Sequence, residues 1–316
     1  MARGRVLSTA QGTRPEAFGP AEWGLLSAVA LMWGSSFLWI DIGLEAFRPP
    51  VIAVARILMG ALALGFIRRS RAPVAREDWP RVVLLAFVWT AIPLLLFPIA
   101  QDLGVASSSA GMINGAMPLF AALFASIFLR RLPGPLQAIG LLVGFAGVVL
   151  VSLSSAGGSG GTALGTALAL AATVLYGLAA NIMVPLQQKY GALPVIVRAQ
   201  LVALAAVLPF GIAAVPDSRW AWPSALAMVM LGVFGTGLAY VASSTLLGRA
   251  GPTRGSVQIY FIPVVALVLG VVFLDEDVTA MALMGVALII AGAYVTSRRE
   301  RPVEARTPAP VEGVEP

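Results

Sequence analysis

The sequence predicts an all-α polytopic membrane protein with ten transmembrane helices arranged as two inverted five-helix repeats. Three observations predict it. The chain is 59% hydrophobic and only 11% charged, whereas a soluble domain carries roughly 25% charged residues. Its mean hydropathy is +0.89, so lipid has to be much of its solvent. Residues 107–150 and 252–295 align without a gap at an offset of 145, which carries Pro118 onto Pro263, Phe128–Leu129 onto Phe273–Leu274, Gly140 onto Gly285 and Ala146–Gly147 onto Ala291–Gly292. The turn inside each copy reverses its charge, from Arg130–Arg131 to Asp275–Glu276. Cationic loops stay in the cytoplasm, so the copies are expected to lie in opposite senses. Alternating-access transporters are often built this way.

A helix crosses the hydrocarbon core with about 20 apolar residues. Stretches of that kind run over 22–41, 50–68, 80–101, 106–129, 134–153, 162–184, 194–214, 221–247, 253–274 and 277–297. They divide into a first repeat, 21–153, and a second, 162–297. The uncharged linker Ser154–Gly161 between them suits an external joint. Because each repeat has an odd number of spans, the second enters from the opposite face. Weaker echoes pair Trp33–Gly34 with Tyr176–Gly177, Arg56 with Arg198, and Leu103–Gly104 with Leu247–Gly248. The polar ends, 1–20 and 298–316, read as disordered cytoplasmic tails.

With the N-terminus inside, all but three of the 21 Lys and Arg residues fall in cytoplasmic segments. Arg48 and Arg219 are outside, and Arg56 is within a span. This places both termini in the cytoplasm and the chain in the inner or plasma membrane. Trp23, Trp39, Trp79, Trp220 and Trp222 fall at span ends, as interfacial anchors do. Trp33 and Trp89 do not. The net charge of +6 and pI near 10.5 come from this loop arginine and do not point to nucleic acid. The expected partners are membrane lipid and a small-molecule substrate.

The chain has no Cys and no His. Disulfides, the usual soft metal ligands and any Ser–His or Cys–His nucleophile are therefore excluded. The single lysine, Lys189, follows Gln188 rather than Gly, so there is no Walker A loop. Neither metal nor cofactor is expected. An intramembrane enzyme lacks paired carboxylates here, and a receptor or scaffold lacks a soluble signalling domain. A secondary transporter remains.

Polar residues inside spans mark the expected site. Arg56 lies six residues past Pro50 and can meet a substrate carboxylate, or else snorkel and pair with Asp41 or Glu45. Arg198, near a span end, is expected to snorkel. Asn114 stands four residues before Pro118, and Gln258 five before Pro263. These prolines are expected to bend spans 4 and 9 and free the carbonyls of Asn114 and Ile259. Trp33, Ser35 and Ser36 in span 1, with Tyr176 and Asn181 in span 6, supply aromatic walls and hydrogen-bonding groups for a pocket. Trp89 and Tyr240 are weaker candidates of the same kind, and Gln101 and Gln200 read as interfacial. Gly140, Gly144 and Gly147 in span 5, with Gly285 and Gly292 in span 10, give small faces for half-to-half packing or for a homodimer.

The ordered set of residues resembles the EamA-type permeases of the drug/metabolite transporter superfamily. It comprises Trp33–Gly34–Ser35–Ser36–Phe37, Pro49–Pro50, Ala55–Arg56, Leu231–Gly232, Gly235–Thr236, Gly251–Pro252–Thr253–Arg254, Ile262–Pro263–Val264, Asp275–Glu276, Gly285 and Ala291–Gly292. The resemblance implies two five-helix bundles around a central cavity. It also implies export of small organic metabolites or amino acids, with drug-like compounds as the alternative. The chain departs from the pattern at Arg131, where relatives often carry an acid. Span 1 has no carboxylate between Glu22 and Asp41, so the proton-coupling route of the smaller four-helix exporters has no counterpart here.

Overall fold

A computed structural model of the chain describes residues 7–14, 16–105, 107–130, 132–155, 162–262, 264–265, 268 and 279–298. Among them it is helical, with no strand. Five helical segments are long and apolar enough to cross a membrane: Pro20–Leu44, Arg76–Asp102, Ala163–Tyr190, Ala192–Ala214 and Trp222–Ala250. Shorter apolar helices accompany them. Large apolar side chains such as Leu31, Leu62, Phe66, Phe210, Ile212 and Leu283 face outward, which is the surface lipid requires.

Several segments read from the sequence as single spans are broken. The first consists of α1 (Pro20–Gly34) and α2 (Ser36–Leu44), parted at Ser35. The hydroxyls of Ser35 and Ser36 bond back to the Leu31 and Met32 carbonyls, a pairing that bends helices. Helix α3 (Pro49–Gly65) is continuous. In the third segment α4 (Trp79–Leu85) and α5 (Ile92–Asp102) flank a π-helical stretch, Ala86–Ala91. The fourth comprises α6 (Ser107–Asn114) and α7 (Met117–Leu129). Helices α8 (Pro135–Ser155), α9 (Ala163–Tyr190) and α10 (Ala192–Ala214) are unbroken. The eighth segment places α11 (Trp222–Met230) and α12 (Ala239–Ala250) around a second π stretch, Leu231–Leu238. The short α13 (Pro252–Gly255) runs into a 3₁₀ stretch, Ser256–Phe261. Helix α14 (Ala280–Ser297) is the last described.

Two expectations about proline change. Pro118 starts α7 instead of bending a helix from within, and the break comes earlier, at Gly115–Ala116. Proline fits a first helical turn, where its missing N–H costs nothing. The Ile259 carbonyl is not free, because the Ile262 amide takes it in the 3₁₀ stretch. Pro263 and the Asp275–Glu276 turn lie outside the described residues, as do Arg131, residues 156–161 of the linker and 299–316 of the C-terminal tail.

Helix α8 packs along α14, α10 along α3, α5 along α9 and α1 along α12. The first π stretch lies on α10 and the second on α3. The glycine faces expected on spans 5 and 10 meet each other. A Cβ on Gly147 would come within 2.6 Å of the Gly285 carbonyl oxygen, and one on Gly292 within 2.3 Å of the Gly144 nitrogen. Within one chain these faces are filled, so a homodimer could use them only by parting α8 from α14.

The segment before α1, expected as a disordered tail, is packed. The amides of Thr13 and Arg14 bond the carbonyls of Gly248 and Arg249 at 3.3 and 2.8 Å. Gly12 lies so close to this helix end that a Cβ would sit 2.4 Å from Ala250 backbone. Arg254, 1% exposed, donates to the carbonyls of Arg14, Glu16 and Ser297. Arg14 and Arg249 both pair with Glu22. The segment's polar composition suggests disorder because most of these bonds end on main-chain atoms and leave no apolar pattern. Replacing Arg254 by Ala should free the segment. Hydrogen exchange at the Thr13 and Arg14 amides is expected to accelerate by at least ~10-fold, while amides in α9 stay protected.

Candidate functional site

The helix irregularities converge on one cavity. Its wall includes Trp33, Ser36, Phe37 and Ile40 from the broken first segment, Arg56 from α3, Trp89 from the first π stretch and Phe97 from α5. Asn114 and Met117 come from either side of the fourth segment's break, Tyr176 from α9, Tyr240 from α12, and Ile259 and Ile262 from the 3₁₀ stretch and just beyond it. Irregular backbone at this depth is tolerated where protein or a cavity surrounds it.

Side chains from other helices satisfy the carbonyls that these breaks expose. The indole N–H of Trp33 donates to Gly235 O at 2.8 Å. The Tyr240 hydroxyl donates to Trp89 O at 2.9 Å. Pro93 explains the second bond, since it offers no N–H to the carbonyl four residues before it. Trp33 and Trp89 pack on Tyr240 with ring centroids 5.8 and 5.6 Å away, and Phe97 stacks on Tyr176 at 6.0 Å. Six aromatic rings thus line the wall, beside aliphatic residues and a few polar ones.

Arg56 dominates the electrostatics. It is 4% exposed, and its Nε donates to Thr236 Oγ1 at 3.0 Å. Among the described residues no carboxylate forms an ion pair with it. Neither alternative pairing forms: Asp41 accepts from Gln101, and among the described residues Glu45 makes no ion pair. Arg56 therefore neither snorkels nor pairs. Its guanidinium is buried at the cavity wall with the Thr236 hydroxyl as its hydrogen-bonded partner. Arg198 instead bonds the carbonyls of Ser70, Arg71 and Pro194 at the edge of the fold.

Of the eight residues proposed from sequence, the structure brings Trp33, Ser36, Arg56, Asn114 and Tyr176 together on the cavity wall. The other three lie off it. Ser35 bonds its own helix. Asn181 donates to Ala121 O and Gly177 O, both at 3.0 Å, and ties α9 to α7. Gln258 donates to Ser243. Gln101 and Gln200, expected at the interface, are buried: Gln101 bonds Asp41 and Phe37 O, and Gln200 bonds Thr236 O at 2.6 Å. Sequence reasoning missed Thr236 altogether. The signal available was its place in the Leu231–Thr236 run, read only as a family pattern.

The cavity's free volume is about 40 Å³, enough for a few waters. A pocket for an organic ligand occupies about 300–1,000 Å³. In this conformation the cavity is therefore too narrow for an organic ligand.

A helical membrane protein with a central, aromatic-walled cavity holding a single arginine belongs, by fold and site, with the membrane transporters. The chain is a member of the EamA-like transporter family, whose profile matches residues 23–153 and again 163–298. It is 25% identical over 285 residues to an uncharacterized transporter of Archaeoglobus fulgidus, covering 88% of this chain and 99% of that one. It is 29% identical over 298 residues to a protein of Streptantibioticus cattleyicolor named a probable terminal-alkyne amino-acid exporter, covering 91% and 97%. The inner membrane transporter YedA of Escherichia coli, also uncharacterized, is 25% identical over 278 residues, covering 85% and 88%. A solved crystal structure shares the fold with a TM-score of 0.74 at 22% identity, covering 88% of this chain and 98% of the other.

The geometry separates two classes of polar residue. Asn114→Ala should raise the KM for transported solute by about 3–10-fold with little change in thermal stability. Asn181→Ala should instead lower stability by about 1–3 kcal/mol, because it strips donors from buried carbonyls. Thermal unfolding in detergent, run alongside transport kinetics, distinguishes the two patterns.

Proposed function

We propose that the protein is a secondary transporter that exports small amino-acid-like carboxylates across the inner membrane by alternating access. The single observation that carries this reading is Arg56, buried on the cavity wall with Thr236 as its hydrogen-bonded partner. The carboxylate of the cargo would complete the charge pair, and the aromatic wall would receive its apolar part. Asn114 Oδ1, buried and without a partner, would accept from the cargo's ammonium. The name of the Streptantibioticus relative favours an amino acid. Drug-like exporters are the second reading, and the aromatic wall alone is what favours them.

Ten spans in two inverted halves remain our reading of the architecture, with both termini cytoplasmic. Its support is the double match of the family profile and the pairing of helices. Exchanging the halves turns the α5–α9 contact into α12–α1, and the α3 contact with the second π stretch into the α10 contact with the first. The α3–α10 and α8–α14 contacts map onto themselves. One half rocking against the other would open the narrow cavity to each side in turn. The cargo shifts that equilibrium only by its differential affinity for the two states.

The test is counterflow in proteoliposomes against a panel of amino acids and their amides. Saturable exchange of amino acids is expected, with amides at least ~10-fold weaker, and Arg56→Ala should erase that preference. Equal exchange of acid and amide by the wild type would reject a carboxylate site. The cysteine-free sequence also permits single-cysteine labelling. Cysteines placed at Arg130 and at Asp275 should react from opposite sides of the membrane, and reaction from one side would sink the inverted repeat.

A further inference from the structure

Thr236 sits where the two halves meet the arginine. It lies in the second π stretch, is fully buried, and faces α3 across the contact between halves. Its hydroxyl does two things at once. It donates to Leu231 O at 2.9 Å, five residues back, the interval of a π turn. With the proton committed there, a lone pair is left to accept from Arg56 Nε at 3.0 Å. The Thr236 carbonyl is held in turn by Gln200 from α10.

The backbone at this point has no slack. A Cβ on Gly60, one turn after Arg56, would meet Gly232 O at 3.0 Å and the Thr236 carbonyl carbon at 3.2 Å. A Cβ on Gly232 would fall 2.2 Å from Met59 Cβ and 3.0 Å from Arg56 O. Helix α3 therefore lies flush on the π stretch, and the distance from Arg56 to Thr236 is set by main chain.

The choice of nitrogen matters. Thr236 takes Nε, on the inner edge of the guanidinium. Among the described residues no hydrogen bond engages Nη1 or Nη2. A guanidinium held by Nε presents its terminal nitrogens as a planar fork, the geometry that binds a carboxylate through two parallel bonds.

We infer that Thr236 is a positioning residue that aims the Arg56 fork into the cavity, so that the second half of the protein orients the carboxylate-binding group of the first. This rests on the carboxylate reading of Arg56 and adds to it the residue that fixes the angle of approach. Without the hydroxyl, Arg56 would keep its charge but lose its fixed orientation. Binding of a carboxylate would then weaken, while an amide, which needs no fork, would be bound about as before.

The experiment compares wild type with Thr236→Val, Thr236→Ser and Arg56→Ala in proteoliposomes. The probes are L-leucine in counterflow and L-leucinamide as its competitor. Thr236→Val keeps the shape and removes the hydroxyl, and Thr236→Ser restores it. Thr236→Val is expected to raise the KM for L-leucine about 10-fold with kcat changed less than about 2-fold, and to shrink the preference for acid over amide by a similar factor. Thr236→Ser should return both to within about 3-fold of wild type. A wild-type KM and preference in Thr236→Val, with Arg56→Ala impaired, would overturn the positioning role and leave the Arg56 reading standing. Equal loss in the Val and Ser variants, with kcat falling alongside, would also overturn it by marking a packing role. Wild-type kinetics in Arg56→Ala, or no saturable exchange of L-leucine or any panel member by the wild type, would overturn both readings.

Discussion

One constraint governs the interior of this protein: a backbone carbonyl shielded from water has to find a donor. Regular helices meet it within themselves. This chain departs from regular helix at Ser35, at two π stretches, at Gly115–Ala116 and through Ser256–Phe261, and the freed carbonyls are met from other helices. Trp33 serves Gly235, Tyr240 serves Trp89 and Gln200 serves Thr236. Asn181 and Tyr260 add bonds to the carbonyls of Ala121 and Leu141 within the regular helices α7 and α8. All of these bonds cross-link segments distant in sequence.

The same constraint sorts the polar side chains by role. Asn181, whose amide is engaged by two carbonyls, and Gln258, whose amide donates to the Ser243 hydroxyl, both lie off the cavity wall. Arg56 is different, because five N–H groups exceed what one threonine can accept. The two π stretches share this logic and also share a register. Ala86 and Leu231, where they begin, are 145 residues apart, within one residue of the offset that pairs Leu103–Gly104 with Leu247–Gly248. The first stretch packs on α10 and the second on α3.

Much of this was legible in the sequence. Composition leads to a helical membrane protein, and most span limits lie within a few residues of the described helices, while the end of the ninth lies outside the described residues. Arg56, Asn114, Trp33, Ser36 and Tyr176 stood out because polar and aromatic groups in apolar surroundings are expensive or large. The helix breaks were not legible. Leu231–Leu238 contains three glycines and one threonine, a composition equally at home in a straight packed helix, so nothing local announces a π turn. Pro93, which offers no N–H to the Trp89 carbonyl, is the one residue near the first π stretch whose type points to a freed carbonyl. The packed N-terminal segment was hidden for another reason. Its bonds run through main-chain atoms of Thr13 and Arg14, and main-chain bonding leaves no trace in residue type.

The narrow cavity and the unpaired arginine bear on each other. In a site holding about 40 Å³ of free space, Arg56 has room for a few waters and one threonine, which is poor solvation for a full charge. Burying this charge in so narrow a cavity carries an electrostatic cost. In the proposed mechanism a carboxylate cargo would relieve that cost only with a wider cavity, so charge neutralisation and expansion would be one event. Glycine contacts on the α8–α14 seam are short-range and apolar, and they are indifferent to that charge. The α3 contact with the second π stretch is not, because it carries Arg56 on one side and its orienting hydroxyl on the other. In the proposed mechanism, binding energy released at the guanidinium would be delivered at the contact between α3 and the second π stretch, and the glycine seam would serve as the fixed axis about which the halves turn.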